Sequence, residues 1–154
     1  MTSLRRSAGI LALFVVSLAA ATPAFAQAHS AAGRVKVVSG SAFIVRGGET
    51  LAARAGDTVF ASDALRTGDG GSVGVTLKDD TRLSLGPNSE VRLERYVYAP
   101  GSGGLGMVLK FVRGVAAYVS GRMARLAPDS IRLETPAAIV GVRGTTLAIR
   151  VEEQ

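Results

Sequence analysis

From Gly33 onward apolar residues return at every second position, the period of a strand with one buried face. Val35 and Val37 alternate with Arg34 and Lys36, and Val73, Val75 and Leu77 alternate with Gly74 and Thr76. Leu83 and Leu85 flank Ser84, Val91 and Leu93 sit between Glu90, Arg92 and Glu94, and Ile131 and Leu133 flank Arg132. Val140 and Val142 flank Gly141, and Leu147, Ile149 and Val151 close the pattern. No stretch sustains the i, i+3, i+4, i+7 stripe of a helix. Val115 to Met123 comes nearest, but Gly114 and Gly121 bound it closely, so helix should be scarce.

Turn signals punctuate these runs. Arg46-Gly47-Gly48-Glu49 joins the strand around Phe43 to Val45 to the next segment, and Gly68-Asp69-Gly70-Gly71 precedes Val73. Lys78-Asp79-Asp80-Thr81 separates Leu77 from Leu83. Gly86-Pro87-Asn88-Ser89 places proline where φ is preset and asparagine where positive φ is tolerated. Short strands recurring roughly every 8–12 residues define an all-β single domain, whether sandwich, barrel or stack of short coils. Periodicity does not choose among these.

The first 26 residues read differently. Arg5 and Arg6 form a basic start, Gly9 to Ala21 is uncharged and largely apolar, and Pro23 is followed by Ala24-Phe25-Ala26, with small residues at the −3 and −1 positions. This is the pattern of a secretory signal peptide cleaved after Ala26. The apolar run is short for a membrane span, which needs about 20 residues. The expected organisation is therefore a cleaved leader (1–26), a short linker (27–32), a β domain (33–151) and a short tail (152–154), exported to the periplasm, with secretion as the alternative and no transmembrane segment after cleavage.

The chain of 154 residues carries no cysteine and one histidine, His29. That excludes disulfide scaffolds, thiolate metal sites and cysteine nucleophiles, and removes the parts for a multi-histidine metal centre. Neither catalytic residues nor a cofactor is expected, and the protein reads as non-enzymatic. Cleavage leaves 16 of the 18 basic residues against all 12 acidic ones, a net charge of +4. Arginine dominates the basic set, so acidic glycans or phosphates are conceivable ligands, although solvated strand faces already account for the charges. Glu90, Arg92 and Glu94 form a mixed-sign row able to pair across a ladder. Aromatics are few and not interleaved with the arginines, which argues against nucleic acid as a partner.

One motif is present and is rejected. Gly101-Ser102-Gly103-Gly104-Leu105-Gly106 satisfies G-x-G-x-x-G, but Met107 to Val112 after it reads as strand, whereas a dinucleotide fold needs a helix there. A loop tip between Tyr98 and Met107 is the ordinary reading. Asp57, Asp63 and Asp69 lack the compact spacing of a calcium loop. Asp79-Asp80 reads as a turn whose aspartates bond their own backbone.

Two stretches resemble the FecR-domain family of bacterial periplasmic proteins. The first holds Gly56-Asp57, Asp63, Leu65-Arg66-Thr67-Gly68 and the run from Leu77 to Ser89. The second is Leu133-Glu134-Thr135-Pro136-Ala137-Ala138-Ile139-Val140-Gly141-Val142-Arg143-Gly144-Thr145, which is similar to the family's T-P…G-V-R-G-T ending. Together they span about Gly33 to Val151. The resemblance implies a solenoid-like, twisted double β-sheet, with a β-sandwich as the alternative. It also implies a receiver of protein contacts in the cell envelope, as in sensors that relay ferric-siderophore occupancy to a sigma factor. As read, this sequence lacks the sigma-binding segment, the transmembrane helix and the extra C-terminal subdomain of those sensors, and it is not expected to carry a signal across the inner membrane by itself. Asp80-Thr81 stands where the family has Asp-Gly, which points to a different turn type there.

The family-motif residues are Asp57, Asp63, Thr67, Gly68, Thr135, Pro136, Gly141, Val142, Arg143, Gly144 and Thr145, structural or partner-binding. Arg143 has two readings. In the favoured one it pins the last coil by bonding carbonyls or a carboxylate such as Asp57 or Asp63; in the other it recognises a partner's carboxylate or phosphate. Thr135-Pro136 reads as a strand entry. The expected role is a protein-binding adaptor or accessory regulator in the envelope, with a carbohydrate- or cell-wall-binding module as the alternative.

Overall fold

The computed structural model describes residues 30–152, so the leader reading for residues 1–26 and His29 lie outside the described part. Strands account for 60% of the structure and helix for 8%, as the period-2 pattern requires. The strands are β1 (Ala31–Ser39), β2 (Ala42–Arg46), β3 (Glu49–Ala52), β4 (Thr58–Phe60), β5 (Ala64–Thr67), β6 (Ser72–Leu77), β7 (Arg82–Leu85), β8 (Glu90–Ala99), β9 (Gly104–Val119), β10 (Ile131–Glu134), β11 (Ile139–Gly141) and β12 (Thr146–Val151). The one α-helix among the described residues is a single turn, α1 (Met123–Leu126). β1 begins at Ala31, and fully buried Ala32 lies inside the stretch read as linker.

The strands build one curled, half-barrel sheet, and the all-β single domain is as expected. The doubling of the sheet comes from β9, whose 16 residues serve two halves in succession. Residues 104–113 pair with β8, and residues 107–110 also pair with β10 on the other side. Residues 114–119 pair with β12, and 116–119 also with β7. One half therefore runs β3-β2-β5-β8-β9-β10-β11 and the other β12-β9-β7-β6-β1-β4. Gly114 lies at the crossing with φ +84°, and a Cβ there would strike the backbone of Asn88 and Ser89. Only glycine fits that bend.

All pairings are antiparallel except β9 with β10. The β2–β3 hairpin turns through Gly47 and Gly48 at φ +56° and +88°, the two positive values a tight primed turn needs. Asn88 takes φ +49° in the Gly-Pro-Asn-Ser turn, as its position predicts. Asp80 takes φ +66°, while Thr81, which stands where the family has glycine, does not take a positive value. The left-handed position falls one residue earlier, with aspartate bearing its steric cost. The loop read between Tyr98 and Met107 is shortened to residues 100–103, because β8 and β9 continue in register to Ala99↔Gly104.

The inward side chains make one core in the hollow of the curl. Val73, Val75, Leu83 and Tyr118 enter it from one half and Val91, Leu109, Phe111 and Leu133 from the other. The free ends of the sheet are sewn together by Arg46. Its Nε and Nη2 donate to the two carboxylate oxygens of Asp63 at 2.8 and 2.7 Å, and Nη2 also donates to the Thr58 carbonyl on β4. The guanidinium stacks 4.4 Å from the Phe60 ring centroid. A clip between β2, near one end of the strand order, and β4, at the other, holds the curl closed.

Candidate partner-binding site

The residues of the family motifs fall into three separate places. Asp57 and Asp63 lie near the clip. Asp63 is almost wholly buried, takes both arms of Arg46 and accepts the Phe60 amide at 2.8 Å. The Asp63 hydrogen bond is the largest cause of the raised pKa of Arg46, with the field of Asp57 a smaller one. Asp57 turns its carboxylate to the Arg54 amide, three residues back. Both carboxylates are thus committed close to home.

Thr67 and Gly68 form the second place. The buried Thr67 hydroxyl donates to the Gly86 carbonyl at 2.6 Å and accepts the Ser89 amide at 2.9 Å, while the Gly68 carbonyl accepts the Asn88 amide. A Cβ on Gly68 would collide with the Ser41 side chain. These residues knit the turn before β8 to the turn after β5.

The third place is a corner made by Thr135, Pro136 and Gly141 to Thr145. Thr135-Pro136 is not a strand entry. It opens the four-residue turn from β10 to β11, where the Thr135 amide and hydroxyl donate to the Ala138 carbonyl and the Ala138 amide returns a bond to the hydroxyl. Pro136 stands second in this turn, where its preset φ suits the bend, a signal that the strand-entry reading passed over. Among the described residues β11 pairs with β10 alone, and its Ile139 and Val140 are 69% and 41% exposed.

Beyond β11 the chain makes the loop that defines the corner. Val142 is buried in the core and anchors it. Gly141 leaves open space above its Cα, and Gly144 takes φ +62°. The Ser120 hydroxyl donates to the Thr145 carbonyl and accepts the Thr145 amide, both at 2.9 Å, which fixes the far end before β12. Between these anchors Arg143 stands outward with its side chain 82% exposed. Its ion pair is with Asp129 at 3.6 Å, itself 89% exposed, and such a pair contributes little. The pin to Asp57 or Asp63 is therefore overturned, since Arg46 and the Arg54 amide hold those carboxylates. Two clefts flank the loop. One of about 450 Å³ is lined by Asp129, Arg132, Ile139, Val142 and Arg143, and the other, of about 370 Å³, by Arg125, Gly144 and Thr145.

A network that the sequence did not disclose surrounds Asp79. This wholly buried carboxylate accepts the Thr81 hydroxyl at 2.7 Å and the Tyr96 hydroxyl at 3.0 Å, with the Thr81 and Met123 amides at longer range. The Thr81 amide bond is the backbone turn contact expected; the Tyr96 contact, 17 residues away, is not visible until the strand order is known. The Tyr96 pKa is pushed far up, by burial first and the Asp79 charge second. With every contact to a structural neighbour, the network is a staple beneath α1. Among the described residues no group of acidic or histidine side chains is placed to hold a metal ion. No helix there is long and apolar enough to cross a membrane.

The family model described as "FecR protein" matches residues 63–154. No curated protein and no solved structure matches the chain.

Proposed function

Because the chain belongs to the FecR family, whose members are envelope-associated regulators that contact proteins, we propose that it is a non-enzymatic adaptor or accessory regulator of the cell envelope that docks a protein partner at the corner built by β10, β11 and the Gly141–Thr145 loop. The carrying observation is the contrast within the loop. Val142 and Thr145 are tied to the body, and Arg143 between them is held out with only a loose contact to an exposed carboxylate. A planar guanidinium in that position suits a bidentate carboxylate of a partner. The open edge of β11, with Ile139 and Val140 exposed beside it, offers backbone donors and acceptors to an added strand. Export through the leader read at residues 1–26 would place this corner in the periplasm.

Crosslinking of the tagged protein in intact cells, read by mass spectrometry of the envelope fraction, tests this. One abundant protein partner is expected. Arg143→Ala should abolish that crosslink while shifting stability by no more than about 0.5 kcal/mol, the usual size of an exposed surface change. Recovery of wall fragments alone, released by salt, would refute the adaptor and favour a cell-wall-binding module. A large loss of stability in Arg143→Ala would restore the structural reading of this arginine.

A further inference from the structure

The two halves of the sheet present different outward faces. On the half that carries β8 and β10, cations and acids alternate. Glu90 sits between Arg66 and Arg92 at 3.2 and 3.1 Å, and Glu94 and Glu134 lie among Arg95, Lys110 and Arg132. On the other half the registers lay out rows that contain no acid. The first is Thr58, Arg34, Thr76, Arg82, Val119 and Thr146 across β4-β1-β6-β7-β9-β12. The next runs Val37, Gly74, Ser84, Ala117 and Ala148, and Arg150 follows beside Val115. The β1 bulge at Lys36 adds a further exposed cation. The nearest acids sit at strand ends, and one of them, Asp80, is already paired with Arg122 at 2.7 Å.

Three features of this face bear on its ligand. Lys36, Arg82 and Arg150 are exposed and form no ion pair among the described residues, and Arg34 is engaged only by the Gly56 carbonyl. Among them stand exposed valines, Val37 at 61% and Val115 at 40%. At the edge, a cleft of about 340 Å³ is lined by Arg34, Lys36, Thr76 and Lys78, with Asp80 at its side. Cations on alternate strands such as β1 and β7 are about 10 Å apart, too far to converge on one small anion.

We infer that this outward face docks the phosphate headgroups of an anionic phospholipid bilayer. Headgroups diffuse laterally, so each cation can gather its own phosphate without a fixed register between ligand and protein. An acidic protein would need its carboxylates held in a matching pattern, and nothing orders these arginines and lysines for one. Guanidinium groups take phosphate bidentately, small Ser, Thr, Ala and Gly positions let the headgroups approach the strands, and the valines meet the interfacial layer. The inference is independent of the corner at Arg143, which lies on the loop between the two halves.

The test is sedimentation of the protein, purified from its host in the form the cell accumulates, with vesicles of phosphatidylglycerol and phosphatidylcholine in equal parts or of phosphatidylcholine alone. Binding is expected to the anionic vesicles only, and to fall when salt rises from about 0.1 M to about 1 M, where the Debye length shrinks from about 10 to about 3 Å. Lys36→Glu with Arg82→Glu should weaken it about 25-fold or more, at roughly fivefold per cation lost. Lys110→Glu with Arg95→Glu changes net charge equally on the opposite face and should leave most of it. Should the first pair melt early, Lys36→Gln alone is expected to cost about fivefold. Equal binding to neutral vesicles, equal loss in both double variants, or capture of polyglutamate with no vesicle binding would each overturn the inference.

Discussion

Tyr96 and Tyr118 are both buried, and their hydroxyls meet opposite circumstances. The Tyr96 hydroxyl donates to the Asp79 carboxylate and accepts the Asp79 amide, each at 3.0 Å. The Tyr118 hydroxyl lies near the Ser120 and Thr81 side chains without a well-formed hydrogen bond to either. Tyr96→Phe leaves two buried Asp79 groups short of a partner and should cost about 1–3 kcal/mol, whereas Tyr118→Phe should be neutral or slightly stabilising. Urea unfolding of the two variants checks the difference. Both phenols hold their protons above the ordinary value of 10.0, burial being the first cause in each. A proton bound more tightly in the folded state makes the contribution to stability complete below about pH 10, and it declines as pH rises beyond the unfolded value. Titration of unfolding free energy above pH 9 should therefore fall, and the slope should be shallower in Tyr96→Phe.

Among the elements, β9 carries the heaviest demand, because one strand must leave one half and enter the other at Gly114. Gly114→Ala combines positive φ with collision against Asn88 and Ser89, and should cost about 2–5 kcal/mol, read as a lowered denaturation midpoint or loss of soluble protein. The period-2 pattern told which side chains point inward along each strand, and the turn residues told where strands end. Gly47-Gly48, Asn88 and the scarcity of helix were legible on those grounds. Strand order was not, because a period of two says nothing about which strand lies alongside. Hence Arg46 with Asp63, Asp79 with Tyr96 and Ser120 with Thr145 were hidden: each pair is far apart in sequence and meets through the order of the strands. For the same reason Arg143 was assigned carboxylates that belong to other partners. The structure shows the T-P residues as a turn and the G-V-R-G-T residues as an anchored loop.

For the molecule as a whole, the curl depends on the clip between Arg46, Asp63 and the Thr58 carbonyl. Asp63→Ala removes one partner of an ion pair whose carboxylate is buried and whose guanidinium is 32% exposed. The expected loss is about 2–4 kcal/mol, below the figure for a fully buried pair because water can still reach Arg46; a thermal melt measures it. The parallel pairing of β9 with β10 bears on a different matter, the order in which the chain can assemble. Antiparallel neighbours can form through short turns, but a parallel pair needs a crossover, here the stretch through α1 between Val119 and Ile131. β10 has no neighbour to pair with until β9 is in place, and β11 has none until β10 has docked. The corner that presents Arg143 therefore waits on β9 and then on β10, and a protein caught before that step would lack the place at which we propose that a partner docks.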